Sequence, residues 1–187
     1  MQHSMALKHV LRYLSGTRSH GIVYKALPED SDFYAYADAA FMNADKCRST
    51  TGYVFLAGNG AITWNSKSQE SRALSSTGAK YVTLVEAACE ACWLRSLYSE
   101  LGLLREDLPT VIQGDNEGSL AMARKPQFYK RSKHIELRWH WIHELIQRGV
   151  VTVKSCRDPE QTADVLTKAL LRQKHKKHSK DMGLVSI

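Results

Sequence analysis

The stretch QGDN at positions 113–116 ends a short apolar run with a glycine turn and an aspartate, Asp115. Asp38 lies in a similar apolar setting, YADA at 36–39, and Asp164 lies in TADV at 162–165. These aspartates are far apart in the sequence, so only folding can bring their carboxylates together. Two divalent ions about 4 Å apart need several carboxylates as ligands. The pattern therefore predicts a candidate two-metal site, although single acidic residues more often only solvate a surface.

Short aromatic and β-branched segments separated by turns predict strands at 34–41, 52–57 and 61–64. The GNG turn at 58–60 suits a hairpin between the last two, so the three strands form an antiparallel meander. Two further buried strands are predicted at 110–113 and 150–153.

Apolar residues at helical spacing predict the helices of the chain, and glycine or proline ends most of them. The predicted helices span residues 6–14, 77–101, 119–124, 135–148 and 161–171. This order of strands and helices indicates a mixed α/β domain. Asp115 then lies at the carboxyl end of a strand, where open α/β sheets place ligands.

Three further motifs accompany the aspartates: RSTTGYVF at 48–55, ALSST at 73–77 and KHIELR at 133–138. Together, and in this order, the six motifs resemble the ribonuclease H domain of Ty1/copia-type retrotransposon Pol polyproteins. The resemblance extends from about residue 6 to about residue 170. It implies a ribonuclease H-like α/β fold, with a mixed five-stranded sheet flanked by helices. It also implies cleavage of the RNA strand of RNA/DNA hybrids during reverse transcription.

The resemblance assigns Asp38, Asp115 and Asp164 as catalytic residues and as ligands of two Mg²⁺ ions, with Mn²⁺ as a substitute. One motif departs from the family, which reads SSTEAEY where this chain reads SSTGAKY at 75–81. Lys80 thus replaces an expected metal-bridging glutamate. At about 4 Å and an effective dielectric near 20, one unit charge acts on another with about 4 kcal/mol, so an ammonium here repels Mg²⁺.

Glu86 and Glu90 do not replace the missing acid, because six residues of helix span about 9 Å from Lys80. We expect Lys80 to lie on the first turn of the long helix and to point into the aspartate cluster. Two interpretations remain open. The chain is either an impaired hybrid-cleaving endonuclease or a catalytically dead hybrid-binding domain or degenerate transposon remnant.

Nucleic-acid contacts are expected from basic and polar residues beside these motifs, because lysine and arginine in loops bind phosphates. Solvated surface is the equal alternative for the basic ones. The candidates are Arg48, Thr77, Arg131, Lys133, His134 and Arg138. Cellular ribonucleases H carry a histidine where this chain has Asp158, so the resemblance does not supply a proton shuttle there.

The chain has 187 residues, of which 43% are hydrophobic, enough for one folded domain. We divide it into residues 1–30, a remnant of the helix and linker that join a reverse transcriptase; 31–171, the ribonuclease H-like domain; and 172–187, a basic tail. Lysine and arginine number 26 against 19 acidic residues, which suits a polyanionic partner. The expected partners are an RNA/DNA hybrid and the upstream reverse transcriptase domain.

Four cysteines are too few for a disulfide scaffold in a chain of this size. Cys89 and Cys92 have the spacing of half a zinc site, but they fall in the longest predicted helix and are expected to be buried there. No apolar run approaches the roughly 20 residues that span a bilayer. We therefore expect no membrane partner and a protein of the cytoplasm, in virus-like particles, or of the nucleus, and not a secreted one.

Overall fold

The computed structural model describes residues 2–26, 32–125 and 133–187, and for Gln2, Lys46 and residues 133–139 it describes the backbone only. Two short 3-10 turns accompany the regular elements, at Asp45–Cys47 and Asp158–Glu160. The helices and strands are α1 (Gln2–Gly16), β1 (His20–Ile22), β2 (Tyr34–Ala44), β3 (Arg48–Ala57), β4 (Gly60–Ser68), α2 (Ser76–Glu100), β5 (Thr110–Gly114), α3 (Glu117–Arg124), α4 (Lys133–Gln147), β6 (Val151–Ser155), α5 (Asp164–Thr167), α6 (Arg172–Asp181) and β7 (Leu184–Ser186).

The main sheet has five strands in the order β4-β3-β2-β5-β6. Strands β2, β3 and β4 form an antiparallel meander, whereas β5 pairs in parallel with both β2 and β6. This confirms the expected mixed five-stranded α/β sheet. Tyr36 pairs with Gln113 across β2 and β5. Asp38 and Asp115 each follow two residues later, so the parallel register brings them to the same level at one end of the sheet.

Helix α2 packs on one face of the sheet and supplies more residues to the apolar core there than any other element. Its buried residues include Leu84, Ala88 and Leu94, which join Phe55 and Ile112 of the strands in one apolar cluster. The helical spacing of these apolar residues in the sequence predicts this helix. Because these residues pack against the strands, the first turns of α2 have a fixed position on the sheet. Lys80 is thereby held close to Asp38 in β2 and to the end of β5.

The other face of the sheet is covered in part by the two ends of the chain. Val54 and Leu56 of β3 are buried there beside Ile22, Leu166 and Met182. Strand β1 pairs antiparallel with β7, and the backbone N–H of Ala61 donates to the carbonyl of Met182 at 2.9 Å. Residues 172–187, which the sequence indicates as a basic tail, thus form a helix and a strand that pack on the domain.

Gly183 makes this closure possible. Its φ is +81°, and a Cβ at this position would lie 2.8 Å from the carbonyl oxygen of Asn59. Only glycine adopts this conformation without strain and allows such a close approach of two backbones.

The helix predicted at 161–171 is much shorter, because α5 covers only Asp164–Thr167. The carbonyls that a longer helix would use accept side-chain hydrogen bonds instead. Ser66 Oγ donates to the carbonyl of Leu166 at 2.6 Å, and Asn43 Nδ2 donates to that of Thr167 at 2.9 Å. The chain leaves the helix at Lys168 in an extended conformation.

The expectation of buried helical cysteines is wrong for Cys89, which lies in α2 but is exposed, while Cys92 is half-buried. Among the helices in the described ranges, none combines the length and apolar character needed to cross a bilayer.

Candidate functional site

Asp38 lies near the middle of β2 and has no solvent-exposed surface. The hydroxyl of Thr167 donates to its Oδ2 at 2.6 Å, and Nζ of Lys80 lies 2.9 Å from its Oδ1. A buried carboxylate is costly unless it is paired and hydrogen-bonded. Asp38 satisfies this requirement with one hydroxyl and one ammonium group.

Asp115 follows β5 and is held at the turn into α3. Asn116 caps α3 through its side-chain oxygen, which accepts from the N–H of Ser119 at 2.8 Å. Both carboxylate oxygens of Asp115 accept from Lys80 Nζ, at 2.5 and 2.6 Å.

Lys80 therefore joins the carboxylates of Asp38, within β2, and Asp115, directly after β5. It is the fifth residue of α2, so it lies at the start of the second helical turn and not on the first turn as predicted. The helix is capped by Ser75, whose side chain accepts from the N–H of Gly78 at 3.0 Å. The side chain of Lys80 points into the aspartate cluster, as expected.

Asp164, at the start of α5, has no exposed surface and pairs with two further lysines. Lys168 Nζ lies 2.8 Å from its Oδ1 and 3.9 Å from Oδ2 of Asp38. Lys174 Nζ, from α6, lies 3.5 Å from Asp164 Oδ2 and 3.2 Å from Oδ2 of Asp158. The three aspartates thus surround ammonium groups, with Asp38 shared between Lys80 and Lys168.

The two buried aspartates respond differently to these partners. Burial opposes ionisation of Asp38, but the Thr167 hydroxyl and the Lys80 ammonium outweigh it and lower the pKa of Asp38. Burial has the largest effect on Asp164 and raises its pKa. The Lys168 ammonium lowers this pKa, but the nearby charge of Asp38 raises it again, so the net pKa of Asp164 is raised.

Lys80 itself remains a cation at neutral pH. Burial lowers its pKa, but hydrogen bonds to Asp115 and Asp38 more than compensate, so the net pKa is raised above its ordinary value. The position at which the resemblance implies an acid therefore holds a positive charge between two carboxylates.

The residues present do not fit the two Mg²⁺ ions that the resemblance implies. A metal would need Asp38 Oδ1 and Asp115, and the Lys80 ammonium occupies both. Within the described part of the chain, no three histidine, cysteine, aspartate or glutamate side chains are grouped so that they could hold a metal ion. We therefore derive no catalytic step through a metal at this site.

Glu86 and Glu90 point away from the cluster, in agreement with the sequence argument. Glu86 pairs with Lys67 at 3.4 Å, and Glu90 accepts from the hydroxyl of Thr63 at 2.8 Å. No acid of α2 therefore replaces the missing glutamate.

The predicted nucleic-acid contacts are only partly placed. Arg48 begins β3 and is half-buried, and Thr77 lies in the first turn of α2, near the start of α3. Lys133, His134 and Arg138 belong to α4, of which the structure describes only the backbone over this part. Arg131 lies outside the described residues, so these assignments stay predictions.

Sequence reasoning missed three members of the cluster: Thr167, Lys168 and Lys174. A signal existed for Lys168, because a lysine four residues after an aspartate lies on the same side of a helix. No local signal exists for Lys174, since α6 reaches Asp164 only through the tertiary fold.

No protein-family profile matches the chain. The Pol polyprotein from the Arabidopsis thaliana transposon RE2 is 38% identical over 186 residues, which cover 99% of this chain and 13% of that polyprotein. The Pol polyprotein from the Nicotiana tabacum transposon TNT 1-94 is 35% identical over 173 residues, covering 92% of this chain and 13% of that polyprotein. The chain thus spans about an eighth of the length of these relatives.

Solved structures show the same fold at low sequence identity. LC11-RNase H1, isolated from compost by a metagenomic approach, gives a TM-score of 0.53 at 16% identity, over 73% of this chain and 92% of that one. The same enzyme in complex with an RNA/DNA hybrid gives 0.52 at 14% identity, over 72% of this chain and 93% of that one.

The sequence relatives show the homology of the chain, and the solved structures show its fold. The chain is homologous along nearly its whole length to one segment of copia-type retrotransposon Pol polyproteins, and it has the ribonuclease H fold.

Proposed function

We propose that this chain is a ribonuclease H-like domain that binds RNA/DNA hybrids and has lost two-metal cleavage of their RNA strand. The observation behind the proposal is the Lys80 ammonium, which contacts Asp38 and both oxygens of Asp115. A metal ion would have to displace an ammonium group that already contacts three carboxylate oxygens. Lysine supplies positive charge but neither a Lewis acid nor an activated water.

Hybrid binding is supported by the fold and by the charge of the chain. A structural neighbour of the same fold forms a complex with an RNA/DNA hybrid. The formal net charge of this chain is +7, which favours a polyanionic partner. Recognition then depends mainly on contacts to phosphates, so the affinity depends strongly on salt and little on base sequence.

A slow endonuclease is the second candidate. Asp38, Asp115 and Asp164 are all retained, and Asp38 Oδ1 and both oxygens of Asp164 are buried without a well-directed hydrogen bond. These oxygens rely on ion pairs alone, so Mg²⁺ or Mn²⁺ at high concentration would compete with the lysines for them.

The test uses one fluorescent RNA/DNA hybrid for both binding and cleavage. Anisotropy at about 50 and 200 mM salt measures binding, and a denaturing gel after incubation with Mg²⁺ or Mn²⁺ measures cleavage. We expect binding that weakens steeply with salt and no cut RNA. Cleavage by the unmodified protein would favour the second candidate, and salt-independent binding would remove the nucleic-acid assignment.

We also propose that α1 faces the polymerase part of the longer protein. The helix exposes Met5, Leu7, Val10 and Leu11, which are 53 to 71% accessible. The Pol relatives extend well beyond the segment that this chain matches. Hydrogen exchange of α1 should slow when the chain is joined to the reverse transcriptase segment of such a relative; unchanged exchange would contradict this contact.

A further inference from the structure

Helix α6 is firmly attached to the domain by one of its sides. His178 has no exposed surface, and the ring of His175 lies edge-on to Tyr13 with ring centroids 5.6 Å apart. Lys174 pairs with Asp158 and Asp164. These residues are three or four positions apart, so they share one side of the helix. The basic segment is therefore held in a fixed orientation.

The opposite side carries a row of cations, which we call the basic ridge: Arg172, Lys176 and Lys180. All three are exposed, and none has an ion-pair partner within the described ranges. Their four-residue spacing aligns them along the helix at intervals of about 6 Å. The neighbouring Lys177, by contrast, is paired with Asp181 at 2.8 Å. The ridge thus presents three uncompensated positive charges in a row.

Helix α6 lies beside the aspartate cluster, with the basic ridge on its outer side. Helix α6 packs against α5, which carries Asp164, and Lys174 of α6 contacts that residue directly. A polyanion that contacts this outer side would pass next to the cluster. An ordered row of free cations next to that position matches the repeating charge of a nucleic-acid backbone.

We infer that the basic ridge is a phosphate-binding surface that extends the hybrid-binding site along one strand of the duplex. This inference rests on the proposed function, because it assigns part of the same binding site. A lipid surface fits the ridge less well. Helix α6 reads RQKHKKHSKD and contains no apolar residue to enter a membrane interface.

The test compares three variants of the full chain in the hybrid-binding assay. The ridge variant is Arg172→Gln/Lys176→Gln/Lys180→Gln. The control variant, Lys25→Gln/Arg105→Gln/Arg148→Gln, removes the same charge at the other end of the sheet. The charge-keeping variant is Arg172→Lys/Lys176→Arg/Lys180→Arg. Circular dichroism confirms that each variant is folded; all the substituted positions are exposed except Arg105, which is half-buried and pairs with Asp32.

We expect the ridge variant to bind the hybrid at least about tenfold more weakly near 0.1 M salt. The slope of log affinity against log salt should fall by roughly 2 to 3, because each lost phosphate contact removes about 0.9. The control and charge-keeping variants should stay close to the unmodified protein.

The outcomes separate the two proposals. If the unmodified protein does not bind the hybrid, both the proposed function and the ridge are overturned. If it binds and the ridge variant keeps its affinity and salt slope, only the ridge is overturned. Equal losses of hybrid affinity in the ridge and control variants would also contradict the ridge as a hybrid contact. The same holds if the ridge variant loses only binding to anionic phosphatidylserine vesicles.

Discussion

The ammonium of Lys80 lies 2.9 Å from Oδ1 of Asp38, a carboxylate with no exposed surface. The ribonuclease H fold of this chain thus places a lysine where the resemblance implies an acid. The ion pair stabilises the buried carboxylate without a metal, so a lysine at this position is compatible with a stable fold.

Lys80→Met should destabilise the protein by about 3 kcal/mol, because it leaves the buried Asp38 without its main cationic partner. Chemical denaturation with urea measures the free energy of unfolding. Lys67→Met is the matched control. Its pair with Glu86 is half-exposed at 3.4 Å and should contribute at most about 1 kcal/mol. Equal small losses in the two variants would show that the Lys80 pair does not stabilise the site.

Gly78→Ala should stabilise the protein by about 0.5 to 1 kcal/mol, because glycine is a poor helix former and this position has no positive φ. A Cβ there lies 3.3 Å from the exposed Ser75 hydroxyl, which has room to adjust. Gly78→Glu should stabilise further by completing a capping box with Ser75.

Gly149→Ala is the control for this prediction. Gly149 has a φ of +69°, so alanine there is strained and should lower the melting temperature. A lower melting temperature for Gly78→Ala would contradict the helix argument.

The stability of the protein should fall as the pH drops below about 6.5, in part through His178. Burial has the largest effect and lowers the pKa of this imidazole, and the charges of Lys177 and Lys174 lower it further. The charges of Asp181 and Asp164 raise the pKa but do not outweigh the lowering. The unfolded chain then binds a proton more readily than the folded one. The contribution of His178 to the free energy of unfolding is fully present at pH values above the imidazole pKa in the unfolded chain. It is lost as the pH falls towards the lower imidazole pKa of the folded protein.

Denaturation curves at pH 8 and pH 5 test this contribution against His178→Leu, which cannot titrate. Between pH 8 and pH 5, the unfolding free energy of the unmodified protein should fall by more than that of the variant. A difference that does not change with pH would show that His178 is not a buried neutral imidazole.

Much of the fold could be predicted from the sequence because its main elements have clear periodic patterns. The meander β2–β4 and the helix α2 follow from alternating and helical spacing, with bounds that differ by a few residues. The pairing of β1 with β7 carries no such signal. Each strand has three residues, and the partners come from opposite ends of the chain.

Helix α6 was missed for a related reason. It contains no apolar residue, and it is held by His178, by the ring contact of His175 and by Lys174. Local patterning cannot reveal such contacts, since the partners are distant in sequence. In the same way, the position of Lys80 could be inferred from the motif, whereas its neighbours Lys168 and Lys174 required the tertiary structure.

Restoring the acid tests the central claim most directly. The measurement is Mg²⁺ binding by calorimetry, together with hybrid cleavage, for the unmodified protein, Lys80→Glu, and Lys80→Glu/Gly78→Glu, with Lys67→Glu as the control for charge reversal elsewhere. We predict that Mg²⁺ binding and RNA cleavage are absent from the unmodified protein and the control, and that they appear in Lys80→Glu or in the double variant. Cleavage by the unmodified protein at a rate that Lys80→Glu does not raise would contradict the claim that this lysine excludes the metal ions.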